Sequence, residues 1–262
     1  MPRDESGWVN VSSRALDKFA RMSVAGSARV SRWIAEGRVA KSVDTNGEVG
    51  KQTLRSLLGD QPLIIEVGAH IGLDTEEFAL AFPRGTVIAF EPHPRLHSEL
   101  TDRTRFYPNV TCFGVALSDG PSVRRFHQSS GSSDASGSIL TPTRHLSRHP
   151  SVTFLAQDQT VVVTTTLDAF VEATGIDKVS LLWIDVQGAE LLVLKGALKS
   201  LAHIDWIYVE VAPTPLYEGG ATYSEVQRHL ERFGFTVFKE YLPLEWCGEG
   251  NVLFRRSGPD LN

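Results

Sequence analysis

Two stretches, Ile65-Glu66-Val67-Gly68-Ala69-His70-Ile71-Gly72 and Val87-Ile88-Ala89-Phe90-Glu91-Pro92, decide how this chain is read. Each closes an apolar run, Leu63 to Val67 and Thr86 to Phe90, with a special loop. The first loop carries glycines and opens a helix; the second sets a carboxylate at a strand end. Strand, glycine turn, helix and acid-tipped strand make the mononucleotide-binding half of an open α/β sheet. Glycine lets the backbone pass close to a ligand, and the acid accepts hydrogen bonds from both hydroxyls of a ribose. Glu91 follows Gly72 by 19 residues, near the spacing of about 20 that such sites use.

The glycine spacing selects the nucleotide. A pyrophosphate turn is G-x-G-x-x-G, with the phosphates on the helix N-terminus. Here Gly68 and Gly72 stand in an E-x-G-x-x-x-G frame. The Glu66 carboxylate, just before the turn, is expected to repel a pyrophosphate. A ligand with an ammonium and no phosphate suits this loop, which describes S-adenosylmethionine. Three readings compete: a nicotinamide-dependent oxidoreductase, which lacks its third glycine here; a cofactor-binding module without activity; and a tight turn with no ligand.

The 262 residues predict one domain of ordinary size with an appendage, and 42% hydrophobic content is enough for a core. A net charge of −5 and a pI near 5.9 argue against sequence-independent nucleic-acid binding. No uncharged apolar run approaches the ~18 residues that a membrane span needs. The polar start, Met1 to Ser6, lacks a signal peptide's apolar core. Cys112 and Cys247 are far apart and form no C-x-x-C pair, which predicts a reducing, cytoplasmic setting without disulfide or zinc framework.

Residues 1–60 read as a helical N-terminal extension, a cap, a lid or an oligomer contact, with Thr53 to Leu58 as its last turn. Residues 61–262 read as the α/β domain, since strands and helices alternate from Leu63 onward. Residues 121–163 break the alternation: Ser122 to Gln128 and Val152 to Thr165 are strand candidates of a flap. Between them runs a Ser/Gly-rich segment, Ser129 to Ser138, then Pro142 to Pro150 with two histidines. This segment reads as too polar for the core, either a disordered insertion or a lid that orders on binding.

A second signature begins at Val179 to Ile184, an unbroken apolar run as expected of a strand covered on both faces. It ends in Asp185-Val186-Gln187-Gly188-Ala189-Glu190. Asp185 therefore falls at a carboxyl strand end, where open sheets bind ligands. Glu190, in the first helical turn, also suits the helix dipole. Leu191, Leu194, Leu198 and Leu201 predict one helix face on the sheet. The next run, Ile204 to Val211, contains Glu210, an acid that needs a partner if buried. Asp185 and Glu210 are expected on neighbouring strands facing one crevice.

With these residues on view, the chain resembles the FkbM family of S-adenosylmethionine-dependent methyltransferases over about Leu63 to Arg255. The resemblance rests on Glu66 to Gly72, Phe90-Glu91-Pro92, Gly114 to Asp119, Thr166-Leu167-Asp168, Trp183 to Ala197 and Asn251 to Arg255. Two positions depart from it: the family usually has Lys where Trp183 stands and often Glu where Gln187 stands. The resemblance implies a Rossmann-like, seven-stranded class I methyltransferase fold, mostly parallel with the last strand antiparallel. It implies S-adenosylmethionine as cofactor and O-methylation of a sugar or secondary metabolite, with N-methylation of a peptide or natural product as the alternative. By position, Glu66, Gly68, Ala69, His70 and Gly72 would cradle the methionine part. Glu91 and Pro92 would meet the ribose, and Ala116, Leu117, Ser118 and Asp119 would border the adenine. Asp185 would lie beside the amino group or the methyl-transfer axis.

Methyl transfer from a sulfonium is mainly a matter of alignment, but a hydroxyl nucleophile also needs a base. The candidates are Asp185, Glu210, His70 and His127, with a carboxylate preferred. A divalent metal held by Asp185 and Glu210 is the alternative, without a metal-ligand spacing behind it. The expected partner is a small molecule, with no nucleic acid and no membrane.

Overall fold

A computed structural model describes residues 44, 47–154, 160–242 and 248–257. In chain order these form α1 (Lys51–Leu58), β1 (Leu63–Val67), α2 (Leu73–Ala81), β2 (Thr86–Phe90), α3 (Pro94–Thr104), β3 (Val110–Phe113) and β4 (Ala116–Leu117). Then come β5 (Ser122–Arg125), β6 (Ser129–Gly131), α4 (Arg144–Arg148), β7 (Val152–Phe154), β8 (Val161–Thr165) and α5 (Leu167–Thr174). The remainder is β9 (Val179–Ile184), α6 (Glu190–Lys195), β10 (Ile204–Val211), α7 (Tyr223–Glu231), β11 (Phe235–Tyr241) and β12 (Gly250–Arg256). The helices expected in residues 1–43, and Cys247, lie outside the described residues.

The main sheet has seven strands in the order β11-β12-β10-β9-β1-β2-β3. Within it β12 alone runs against its neighbours, inserted between β10 and β11. This is the class I methyltransferase topology.

Side chains alternate across a pleated strand, and each strand serves two cores. Ile65, Val67, Ile88, Phe90, Leu182, Ile184, Ile207 and Val209 face one core with α5, α6 and α7. Ile64, Val87, Leu181, Trp183, Trp206 and Tyr208 face the other, with Leu54 of α1 and Phe78 of α2. Near-continuous apolar runs follow from burial on both faces. Among the described residues no helix is long and apolar enough to cross a membrane.

Three local expectations need correction. The expected third strand, Val110 to Leu117, is two: Gly114 separates β3 from β4, and β4 leaves the main sheet to pair with β8. The leucine helix stops at Lys195, and Gly196 after it passes so close to Ser118 that a Cβ there would lie 2.0 Å from the Ser118 carbonyl oxygen. Leu194 and Leu201 still reach the core, together with Val193 and Ala197, but Leu198 is 49% exposed.

The third correction concerns the insertion. Its flap strands exist, since β5 pairs antiparallel with β8 and β6 with β7. Its middle is not all surface: Gln128, Ser129, Ser138 and His145 are buried. Hydrogen bonds make that burial affordable. The Gln128 side-chain amide donates to Ser129 O at 2.9 Å and Asp134 O at 2.8 Å, and Ser136 N donates to Ser129 Oγ at 2.9 Å.

Candidate active site

The carboxyl ends of β1, β2 and β9 meet at one edge, and the loops that leave them build the site. Gly68 lies at φ +91°, and a Cβ there would sit 1.7 Å from the Asp185 carbonyl oxygen. Only glycine lets the two loops approach this closely. His70 and Gln187 also hold positive φ, at 51° and 54°. Non-glycine residues in this region store strain that surrounding contacts must hold, as happens at functional sites.

Glu91 is 4% exposed. Its Oε2 accepts from His70 N at 2.9 Å and its Oε1 from His93 N at 2.8 Å. Burial nevertheless pushes its pKa up to about 7. A carboxylate offers about four acceptor sites, so both oxygens keep capacity for a diol.

Of the residues expected from sequence, Gly68, His70, Glu91, Pro92, Ala116, Leu117 and Asp185 line one cavity. Leu96 and Phe126 add apolar wall, and Asp134, Ala135 and Ile139 of the insertion close its side. The other expected residues lie off this lining. Strand alternation turns Val67 into the cavity and Glu66 to the opposite face, where Glu66 Oε2 accepts from Thr75 Oγ1 at 2.6 Å. Ala69 N donates to Phe90 O at 3.0 Å and so ties the turn to β2. Gly72, at φ +80°, begins α2 against Leu100. Ser118 is buried behind the lining, and Asp119 is exposed and paired with Arg124 at 3.1 Å. His127 exchanges backbone bonds with Ser138, while its neighbour Phe126 takes the inward position.

His70 lines the cavity with its Nε2 3.1 Å from Asp134 Oδ1, and Arg95 holds the other oxygen of Asp134 at 2.8 Å. The Arg95 guanidinium lowers the Asp134 pKa. This chain of contacts fastens the insertion to the cofactor loop.

Asp185 and Glu210 come from neighbouring strands but do not face one crevice: Asp185 lines the cavity beside Gly68, and Glu210 lines a second one with Gly188 and Tyr217. A side-chain amide joins them: Gln187 Nε2 donates to Asp185 Oδ1 at 2.8 Å and to Glu210 Oε2 at 2.6 Å. Gln187 Oε1 in turn lies 3.3 Å from Tyr217 Oη, which also donates to Ser136 O at 2.8 Å. Burial and the Asp185 charge raise the Glu210 pKa well above its ordinary value. Burial raises that of Asp185 as well. The Asp185 charge adds to burial at Glu210, so Glu210 holds its proton more firmly than Asp185 does. An amide occupies the place where a shared cation would sit, so these two acids do not fit the divalent-metal alternative. Glu190 closes the same turn, its Oε1 accepting from Gly188 N at 2.9 Å.

Residues 66–237 match the methyltransferase FkbM domain. The chain belongs to the FkbM methyltransferase family. It is 33% identical over 177 residues to the 2-O-methyltransferase NoeI of Sinorhizobium fredii, covering 66% of this chain and 72% of that protein. It is 24% identical over 210 residues to the hexuronic acid methyltransferase AglP of Haloferax volcanii, covering 78% and 79%. A 30% identical match over 210 residues to the antimetabolite synthetase AmbE of Pseudomonas aeruginosa covers 69% of this chain and only 10% of that protein.

The two departures from the family pattern have structural accounts. Trp183 stacks on Tyr208 with ring centroids 3.8 Å apart. An ammonium still reaches this face, because Lys51 of α1 places its Nζ 4.5 Å from the Trp183 ring centroid and 2.8 Å from Asp74 Oδ1. Gln187 replaces an acid with an amide that bonds two acids at once. A carboxylate there would have no N–H to donate to Asp185 and Glu210.

Glu66 corrects the electrostatic argument made from sequence. Burial, with the Asp74 charge, pushes its pKa up to about 8, so at pH 7 it is mostly neutral and repels little. The absent third glycine carries the discrimination instead. A pKa raised by folding contributes stability that is full below the unfolded value near 4.5 and is lost as pH rises through about 8. Glu66→Gln should therefore flatten the fall of Tm between about pH 5 and 8 and raise Tm at pH 8. Parallel Tm–pH curves for the two proteins would contradict this account of Glu66.

Proposed function

We propose that this FkbM-family chain transfers a methyl group from S-adenosylmethionine to a hydroxyl of a sugar or secondary metabolite. The observation that carries the reading is the placement of Asp185 and Glu91 on one cavity beside the Gly68 turn. The residues suit the cofactor. Gly68 allows close backbone approach, Glu91 keeps acceptor capacity for the ribose diol, and Leu96, Ala116, Leu117 and Phe126 offer an apolar slot for adenine. When bound, S-adenosylmethionine supplies an activated methyl group on a positively charged sulfur.

The chain's own residues supply position and charge. Asp185, at the cavity wall, accepts the proton of the substrate hydroxyl as the new bond forms. Gln187 holds that carboxyl group in place and shares its amide with Glu210. The insertion, fastened by His70, Asp134 and Arg95, screens the site from water. Oxygen as acceptor atom and a sugar-like substrate draw further support from what the names of the relatives NoeI and AglP state.

Glu91→Ala removes the paired acceptors for the ribose, each hydrogen bond to a charged group being worth about 1.5–3 kcal/mol. Affinity for S-adenosylhomocysteine should drop about ten-fold or more with the fold retained. An unchanged dissociation constant would remove Glu91 from the site. The acceptor is tested by incubating the protein with methyl-labelled S-adenosylmethionine and paired sugars bearing either hydroxyl or amino groups. The reading expects one added methyl on oxygen, located by NMR. Methylation of the amino sugars alone would overturn it.

A further inference from the structure

The Pro142 to Pro150 segment carries two histidines that the methyl-transfer site does not use. They are His145 and His149, four residues apart on and just after α4 and so on one helical face. Their ring centroids are 4.7 Å apart. Glu249, immediately before β12, comes from the other end of the chain and places Oε2 3.5 Å from His149 Nε2. One ligand atom from each residue lies within 4.8 Å of the others.

Two features separate this cluster from ordinary packing. His145 is 1% exposed, yet its Nδ1 has no hydrogen-bond partner among the described residues; His149 Nε2 faces the Glu249 carboxylate across 3.5 Å. Buried ring nitrogens normally find partners. Aromatic contacts with Phe154 and Tyr217, at ring centroid distances of 5.3 and 5.4 Å, account for the His145 ring but not for its nitrogen.

We propose that His145, His149 and Glu249 bind a divalent transition-metal ion of the zinc class, which clips the insertion to the start of β12 in the main sheet. Two imidazoles and one carboxylate form a donor set suited to zinc and its neighbours rather than to magnesium or calcium. A tetrahedral zinc needs ligand atoms roughly 3.3 Å apart, given bonds of about 2.0–2.1 Å. The cluster must contract by about 1.5 Å at its widest, a side-chain movement, and a water completes the fourth position. Arg148 also faces Glu249 and supplies a competing positive charge. The clip acts next to the reaction site. Glu249 and Glu210 line one small cavity, and Tyr217 stands between His145 and Gln187.

The test uses the full chain freed of metal by a chelator and titrated with Zn²⁺ or Mg²⁺ in a calorimeter. One Zn²⁺ per chain and no Mg²⁺ binding are expected. Losing even a group that only orients a ligand costs metal sites about 10–100-fold in affinity, so His149→Gln and Glu249→Gln, which remove ligands, should each weaken Zn²⁺ by at least that range. Circular dichroism checks that the variants fold. Two readings need no variant: Co²⁺ should give a ligand-field absorption band with the wild-type chain, and Zn²⁺ should slow proteolysis between Ser129 and Pro150. No Zn²⁺ binding, equal binding by both folded variants, no Co²⁺ band, or proteolysis unaffected by Zn²⁺ would each overturn the proposal.

Discussion

Asp185→Asn is expected to lower methyl transfer about 10²–10⁴-fold, the usual loss when a positioned base is removed, while S-adenosylhomocysteine still binds. The substitution keeps the shape of the side chain and removes its charge. Glu210→Gln is expected to cost far less, because Glu210 does not line the cavity beside Gly68, and burial with the Asp185 charge favours its protonated form. The inequality is the informative part. Asp185 lines the cavity, whereas Glu210 reaches it only through the Gln187 amide. If both acids served only to satisfy that amide, both variants would turn over normally and lose melting temperature instead. Measuring kcat and Tm on both variants separates the two accounts.

Among the described glycines, Gly68→Ala should be the most damaging alanine substitution. The added Cβ would stand 1.7 Å from the Asp185 carbonyl oxygen and 2.8 Å from its carbon, both backbone atoms that no rotamer change can move. A left-handed position adds strain of about 1–3 kcal/mol for a non-glycine residue. Forcing extra volume into a packed site costs about 1–3 kcal/mol more. At roughly 2–4 °C per kcal/mol for a chain of this size, Tm should drop by about 4 °C or more. Cofactor affinity should fall with it, since Asp185 is displaced from the cavity. Gly59→Ala is the control: Gly59 has φ +74° but nothing within 4 Å of its would-be Cβ. Equal Tm losses in the two variants would mean that the loop contact contributes nothing.

Local spacing made much of this protein legible in its sequence. The β1 turn, Glu91 at the end of β2 and Asp185 at the end of β9 each follow from an apolar run that stops at a special residue. Strand adjacency follows from the same runs, so Asp185 and Glu210 come from neighbouring strands, although they line separate cavities rather than the one crevice expected. The placement of Glu66 was also present in the sequence, in the alternation from Leu63 to Val67, because a residue one step from cavity-lining Val67 faces away. Likewise Gly196 marks where the leucine periodicity stops being one helix.

What sequence reading missed depends on contacts between distant segments. Lys51 reaching Trp183, Asp134 reaching His70, and Glu249 beside His149 join residues that share no local pattern. Gln187 stood out as a departure from the family pattern, yet its bridge between two acids shows only once β9 and β10 are side by side. The burial of serines in the insertion depended on partners that a polar stretch does not reveal.

The central claim is that the Gly68 turn, Glu91 and Asp185 form a site for S-adenosylmethionine. Calorimetry of the purified chain with S-adenosylhomocysteine and, separately, NAD tests it directly. The account predicts saturable binding of S-adenosylhomocysteine at one site per chain, weakened by Glu91→Ala, and no binding of NAD. Binding of NAD, or no binding of S-adenosylhomocysteine by the folded chain, would contradict it.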